Sequence, residues 1–350
     1  MKENELEILE KYDIDVKCTR KIRGATLCET NQGTFLLKEM SFPEKRVPTL
    51  HGLYQHIEEQ GHKNVDVIIK NKENELFTEA EWGSKYLLKR WFHGKECDTN
   101  REQDILDGVQ NLALLHRIMK MPCEGESIRE DLREEFLRHN REMKKVRTFI
   151  RSKVSKGDFE LVYLKYFDMM FEWAEVSTEK LEHSGYENLL AESRKNGSIV
   201  HGDYNYHNIL ITPKGIATTN FERFHQGVQL SDFYYFLRKT MEKNQWNVEL
   251  GHKMLECYNR ILPLTETDLS YLAVCIAYPE KFWKSANSYY RSRKSWISAK
   301  SLEKLNLAIK QADEKSDFLK RIFFYQLLYR RIALKTRKIL VKWAKLPVFT

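Results

Sequence analysis

Two regimes of apolar spacing divide the chain. Over residues 1–90 the spacing is that of strands, with one short helix. In Thr34–Met40 (TFLLKEM) the positions alternate, so Phe35 and Leu37 face one way and Leu36, Lys38 and Met40 the other. Asn31-Gln32-Gly33 before it suits a turn, which predicts that RKIRGATLCE and TFLLKEM pair as a hairpin. Leu50, Leu53, Tyr54 and Ile57 recur at helical spacing and predict a helix over 48–60, ended by Gly61. Further strands are expected over 65–70, 75–79 and 84–91, and Gly94 closes the section.

From Gln103 the period is helical: Ile105, Leu106, Val109, Leu112, Ala113, His116 and Met119 line one face. A charged stretch (128–153) and an aromatic one (158–193) each predict a long helix, separated by the breaker Lys156-Gly157, and helical spacing returns from Asp232 to the end. The expected fold is therefore α+β in two lobes, a small antiparallel-sheet lobe over 1–90 and a large helical lobe over 91–350, with a cleft as the usual place for a ligand. No internal repeat is evident.

Composition narrows the class. With 42% hydrophobic and 31% charged residues, 7 Pro and 15 Gly in 350, the chain is neither disordered nor collagen-like. No apolar run is long enough to span a membrane, and the first residues lack the apolar stretch of a signal peptide, so a soluble intracellular product is expected. The 58 basic and 50 acidic residues leave a net charge of +8, which favours anionic partners without naming one. Six cysteines without a CxxC pair point to free thiols in a reducing compartment rather than to zinc or a redox dithiol.

Two basic segments stand out. Residues 330–346 are basic and amphipathic, expected as a terminal helix docked on the helical lobe, with a membrane surface or an acidic partner as the other reading. Phe282, Trp283, Tyr289, Tyr290 and Trp296 alternate with basic residues as a nucleic-acid stacking platform would. Their near-helical spacing instead favours core and cleft wall and disfavours nucleic acid.

The densest chemistry lies in SIVHGDYNYHNILITPKGIATTNFERF. His201, Gly202, Asp203, Asn205, His207 and Asn208 crowd between apolar runs, as in a loop held rigid by strands. Phosphoryl transfer needs a carboxylate to orient a hydroxyl, an oxygen ligand for magnesium and a second metal carboxylate nearby. Asp203 and Asn208 suit the first two roles. The third position, after a hairpin formed by Ile209–Ile211 and Ile216–Thr219, falls on Asn220, an amide. No third ligand joins His201 and His207 at zinc-like spacing, and neither GxSxG nor GxGxxG occurs.

The segment His201-Gly202-Asp203-Tyr204-Asn205-Tyr206-His207-Asn208 resembles the catalytic loop of the aminoglycoside phosphotransferase and choline kinase-like group, a branch of the protein-kinase-like fold. Within that group, NFERFHQGVQLSDFYYFLRKTMEKNQWN and Tyr278–Trp296 resemble the CotS-type spore coat proteins. The resemblance implies Asp203 as catalytic base, Asn208 as magnesium ligand, His201 as the brace of the loop, and Asp232 and Arg238 as structural residues. It also implies that Lys38 contacts nucleotide phosphates, that Arg23-Gly24 forms the nucleotide loop, that Leu87–Gly94 is the connector meeting adenine, and that Glu58 or Glu59 pairs with Lys38. ATP and Mg2+ are the implied cofactors. A small-molecule acceptor and other coat proteins are the implied partners, and the implied location is the spore coat after synthesis in the mother-cell cytoplasm.

Three departures keep two functions open. Asn220 replaces the metal-binding aspartate, with Glu222 as the candidate to supply the lost charge. The nucleotide loop has a single glycine, and the partner of Lys38 is undecided. One reading is an ATP-dependent phosphotransferase acting on a hydroxyl of a small molecule or coat component; the other is a catalytically decayed pseudokinase that scaffolds the coat.

Overall fold

The computed structural model describes residues 3–122, 131–291 and 299–324. The strands are β1 (Val16–Ile22), β2 (Ala25–Thr30), β3 (Gly33–Glu39), β4 (Ile68–Ile69), β5 (Thr78–Glu79), β6 (Lys85–Arg90), β7 (Lys95–Glu96), β8 (Ile199–Val200), β9 (Ile209–Thr212), β10 (Gly215–Thr218) and β11 (His225–Gln226). The α-helices are α1 (Glu3–Glu10), α2 (Val47–Glu59), α3 (Glu102–Ile118), α4 (Leu132–Ser152), α5 (Asp158–Glu182), α6 (Tyr186–Lys195), α7 (Leu230–Lys243), α8 (Val248–Ile261), α9 (Glu266–Ala277), α10 (Glu280–Arg291), α11 (Ala299–Lys310) and α12 (Ala312–Leu319). The architecture is the two-lobe protein-kinase-like fold, a small antiparallel-sheet N-terminal lobe followed by a larger helical one.

Two compact units are formed. The first comprises Met1–Arg129, Glu192–Phe236 and Glu256–Leu262; the second comprises Glu130–Ala191, Leu237–Leu255 and Pro263–Thr350. In the first, the main sheet runs β1-β2-β3-β6-β4 with β5 on β6, all antiparallel. The alternation read in TFLLKEM is realised: Phe35 and Leu37 join Ile8, Leu9, Tyr12, Cys28, Ala80 and Leu88 in one apolar cluster, whereas Leu36 packs with Ala25 and Leu27 on the other face. Lys38 shares the face of Leu36 because side chains two apart along a strand point the same way.

Local predictions hold to different degrees. RKIRGATLCE is two strands rather than one, because Arg23-Gly24 is itself a hairpin turn joining β1 to β2. Of the strands expected over 65–70 and 75–79, only Ile68–Ile69 and Thr78–Glu79 join the main sheet, and Val65 makes a single parallel bridge to Thr218. The helix expected over 158–193 breaks into α5 and α6 where Gly185 takes φ +81°, the left-handed conformation that ends helices. Helix α1 had no counterpart in the apolar spacing, yet Ile8 and Leu9 are core residues. Residues 128–130 and the segment 330–346 lie outside the described residues.

In the second unit α4 and α5 pack together, with α9, α10 and α11 against them. The first two aromatic residues of α10 are core, and Tyr290 is exposed. Phe282 and Trp283 are buried, Phe282 stacks on Tyr163 at 4.7 Å, and Trp283 stacks on His139 at 3.4 Å while donating to Glu142 at 2.7 Å. Burial lowers the His139 pKa to about 4, so a neutral ring meets the indole face. Trp296 lies outside the described residues.

Truncating Leu88, fully buried in the sheet cluster, is expected to cost about 2–5 kcal/mol as Leu88→Ala. Urea denaturation followed by circular dichroism measures it; a cost below about 1 kcal/mol would show that this face does not support the sheet lobe.

Candidate nucleotide and metal site

Apart from Arg238 and its partner Glu242, all of the following geometry lies within the first unit. The loop after β8 is suspended from Asp232 at the start of α7. The Asp232 carboxylate accepts from the backbone N–H of His201 (2.6 Å) and of Gly202 (2.9 Å), and its Oδ2 lies 3.4 Å from His116 Nε2. Burial alone would raise the Asp232 pKa. The His116 hydrogen bond, the nearby imidazoles and the His201 N–H outweigh it and hold the carboxyl below its ordinary value. Gly202 has φ +82°, and a Cβ there would lie 2.1 Å from the Arg223 carbonyl oxygen, so only glycine fits this turn.

His201 is fully buried and braces the loop. Its Nδ1 accepts from Asp203 N–H (3.1 Å), which leaves Nε2 to donate to the Thr219 carbonyl (3.0 Å). Asn205 Nδ2 donates to Asp203 Oδ1 (3.0 Å), and Asn208 Nδ2 donates to the Asp203 carbonyl (2.8 Å). Tyr204, also fully buried, donates to the Gly108 carbonyl of α3 at 2.7 Å. The β9–β10 hairpin then returns the chain to Thr219 and Asn220, as the spacing requires.

Asn220 adopts the left-handed conformation (φ 66°, ψ 54°), which asparagine tolerates better than most residues. Its backbone N–H donates to Asp66 Oδ2 at 2.9 Å. Lys38 Nζ donates to Asn220 Oδ1 (2.9 Å), and Asn220 Nδ2 donates to Asn208 Oδ1 (2.7 Å). The orientation of both amides follows from chemistry. An ammonium only donates, so it claims the oxygen of Asn220, turning its NH2 toward Asn208 and the Asn208 NH2 toward Asp203.

Glu222, in the short 3-10 turn Phe221–Arg223, does reach inward. Its Oε1 accepts from Lys89 Nζ (2.7 Å) and Lys38 Nζ (3.1 Å). Burial would raise its pKa, but the two lysines lower it to about 2. Lys89 has 0% side-chain exposure and also donates to Asp66 Oδ2 (3.0 Å) and to Tyr54 Oη (3.2 Å), while the Tyr54 hydroxyl donates to Asp66 Oδ1 (2.8 Å). Burial works against its charge, and the carboxylates of Asp66 and Glu222 overcome that, raising the Lys89 pKa above the ordinary lysine value.

The structure thus brings together Lys38, His201, Asp203, Asn208, Asn220, Glu222 and Asp232. It does not pair Lys38 with the helix α2. Glu58 accepts from Arg90 Nη1 at 2.7 Å and Glu59 is exposed, so the expected helix carboxylate is replaced by Glu222. Arg90 follows Lys89 by one residue and faces the opposite way, which is why the two cations find different carboxylates. Arg23 and Gly24 lie at the β1–β2 turn, with Arg23 on Glu96 and His207. Arg238, on the part of α7 that belongs to the second unit, is buried and donates to Glu242 at 2.7 Å. Asp66 and Lys89 escaped the sequence reading. The available signal was a charged residue inside an apolar run, VDVII for one and YLLKRW for the other.

Comparison with known proteins decides the family. The model of the family described as "Spore coat putative kinase YutH" matches residues 5–322. The chain belongs to this spore coat family. It is 23% identical over 166 residues to spore coat protein S of Bacillus subtilis (strain 168), a match that spans 47% of each protein, about half of the relative's length. Among solved structures, an aminoglycoside phosphotransferase from Alicyclobacillus acidocaldarius superposes with a TM-score of 0.83 at 17% identity, over 93% of this chain and 96% of that one. Spectinomycin phosphotransferase APH(9)-Ia, solved with ADP and spectinomycin, gives 0.60 at 11%, over 89% and 97%. At such identities the likeness establishes the fold.

Within this spore coat protein the donor set does not fit a magnesium ion. Mg2+ demands oxygen ligands, carboxylates foremost. Here an ammonium and an amide N–H already point at the two asparagine oxygens, and both lysines hold Glu222. Breaking the buried set is expected to be severe: Lys89→Met leaves Asp66 without a cation and Glu222 with Lys38 alone, and costs about 3–5 kcal/mol in denaturant unfolding. Because the Glu222 pKa is depressed, its contribution is full above the ordinary value of 4.5 and is lost as pH falls through about 2. Thermal unfolding between those limits should therefore be less acid-sensitive in Glu222→Gln than in the parent; equal slopes would remove Glu222 from the set.

Proposed function

We propose that this protein is a kinase-fold component of the spore coat that acts by assembly with other coat proteins and not by phosphoryl transfer. In this reading it is made in the mother-cell cytoplasm and then incorporated into the coat. The observation that supports it is the chain Lys38 to Asn220 to Asn208 to Asp203, in which donors occupy the oxygens that a phosphotransferase of this fold would offer to metal. Asn220 supplies no charge, and Glu222, the carboxylate two residues on, is already shared by two lysines. A nucleotide phosphate chain bridged by magnesium would have to displace both.

A second reading rests on a separate observation. The loop around Asp203 keeps its full support, from the Asp232 clamp through His201 to the Asn205 hydrogen bond. An ATP-dependent phosphotransferase acting on a small-molecule or coat hydroxyl would use Asp203 to orient that hydroxyl.

Calorimetric titration separates the two. The parent protein is expected to bind ATP no better with Mg2+ than without it. Asn220→Asp is expected to gain metal-dependent affinity of at least about tenfold, roughly 1.4 kcal/mol. Tight, metal-dependent binding by the parent, together with turnover that Asp203→Asn abolishes, would overturn the scaffold reading in favour of the enzyme.

A further inference from the structure

Helices α5, α7, α10, α11 and α12 of the second unit line a cavity of about 40 Å3, walled by Met170, Phe282 and Ala308 and by the rings of Trp173 and Trp246. Both indoles are more than nine-tenths buried, at 5% and 4% exposure, and neither Nε1–H has an acceptor among the described residues. Buried polar groups are ordinarily hydrogen-bonded, so two such donors on one cavity call for an acceptor inside it. Trp246 stands in the turn between α7 and α8 at φ +53°, a backbone that a bulky residue keeps only where its surroundings hold it.

Lys315 of α12 reaches the same cavity. Its Nζ donates to the Ala277 carbonyl (3.1 Å) and the Tyr278 carbonyl (2.9 Å) at the end of α9, and lies 5.4 Å and 6.0 Å from the ring centres of Trp173 and Trp246. Those two acceptors match the two hydrogens of a neutral amine and leave its lone pair unengaged. Burial, then the Arg238 charge, lowers the Lys315 pKa to about 7, with Lys281 adding to the effect and Glu242 and Glu280 opposing it. The ionisable groups facing it are thus Arg238 and Glu242 from α7 and Glu280 and Lys281 from α10, while α5 and α11 line the cavity with none. Glu242 is held by Arg238 and Lys281, and Glu280 by Lys284, so cations outnumber carboxylates around the site even with Lys315 neutral.

An apolar wall, a free lone pair and two waiting donors suit an electrophile that enters uncharged and becomes an anion on reaction. One water needs about 10–15 Å3 of such space, so a cavity of about 40 Å3 takes roughly three non-hydrogen atoms. Carbon dioxide has that size and is apolar. We infer that Lys315 is a carbamylation site, where Nζ adds to carbon dioxide and the carbamate oxygens accept from the Nε1–H groups of Trp173 and Trp246. The nitrogen lone pair forms the N–C bond, one C–O π bond opens to place the charge on oxygen, and a proton leaves the nitrogen for solvent. One N–H remains to close α9, and the new anion offsets the surplus of cations. The inference goes beyond the proposed function and stands apart from whether the protein assembles or catalyses.

Nuclear magnetic resonance on the full chain labelled with 15N-lysine and 15N-tryptophan tests it, with 13C-bicarbonate added about one pH unit above the Lys315 value. A carbamate carbon split by one-bond coupling to 15N should appear, and the indole resonances of Trp173 and Trp246 should shift with it. Ethylation of the carbamate by a trialkyloxonium salt, followed by peptide mass spectrometry, should place the adduct on Lys315. Because Lys315 also closes α9, this mapping is done in the parent and depends on no lysine variant. Trp173→Phe and Trp246→Phe keep a ring and drop the N–H, and each should raise the half-saturating bicarbonate about tenfold, the size of one hydrogen bond to a charged group. No split resonance in the parent, or an adduct that maps to other amines only, would overturn the site. Indole shifts without the split carbon would make the occupant a free anion and overturn the covalent bond. Half-saturation unchanged in both tryptophan variants would overturn the indoles as its donors.

Discussion

Glu222 Oε1 accepts from two ammonium groups, and the rest of the site is arranged around that shared atom. Lys38 comes from β3 and Lys89 from the neighbouring β6, both on the sheet face that carries Leu36. Their register makes convergence natural, since Lys89 stands opposite Leu36 and Lys38 opposite Leu87, one diagonal apart. A buried ammonium is tolerable only with carboxylates beside it, and Asp66 and Glu222 meet that demand from opposite directions along the chain. The turn carrying Asn220 and Phe221 is consequently fastened to the sheet by charge, and Phe221 adds an edge contact to Tyr54 at 5.4 Å and a tilted one to His201 at 4.4 Å.

That fastening explains why the loop is so well ordered chemically. Asp232 holds the backbone at His201 and Gly202, and the set around Glu222 holds Asn220, so the residues from His201 to Asn220 are fixed at both ends. Between those ends the donors run in one direction, from an ammonium through two amides to a carbonyl. Each amide orientation is imposed by the one before it. Side chains alone supply this order.

What could be read from sequence was whatever is local. The alternation in Thr34–Met40 gave the face of Lys38, the helical spacing gave α2 and α3 to within a residue or two, and the crowding between Ile199 and Ile211 marked the loop. The misses at the site are consequences of long-range pairing. The identity of the carboxylate next to Lys38 depends on a turn 184 residues away, and neither Glu58 nor Glu59 carries any local sign that Arg90 would claim the helix side of the strand instead. Arg23 was read inside a strand segment and, by resemblance, as part of the nucleotide loop; its contacts with Glu96 and His207 were invisible because those residues reach it only after the sheet and the hairpin have formed. The division of 158–193 into two helices turned on Gly185 alone, a residue that apolar spacing cannot weigh.

Charge balance ties the amide at 220 to the carboxylate at 222. The inner set holds Lys38 and Lys89 against Asp66 and Glu222, so its formal charge is 2 − 2 = 0 with nothing bound. An aspartate at 220 would make it −1 beside the Asp203 carboxylate, in a setting where burial already opposes the ionised state of Glu222. A cation would then be needed to restore the balance, and that is the service magnesium performs wherever phosphate is transferred. Asparagine removes the need while keeping an oxygen for Lys38 and gaining an N–H for Asn208. The loss of charge at 220 and the inward placement of Glu222 are therefore two halves of one electrostatic arrangement. Neither would be stable alone: Glu222 without Asn220 leaves an excess of negative charge, and Asn220 without Glu222 leaves a buried lysine short of one carboxylate.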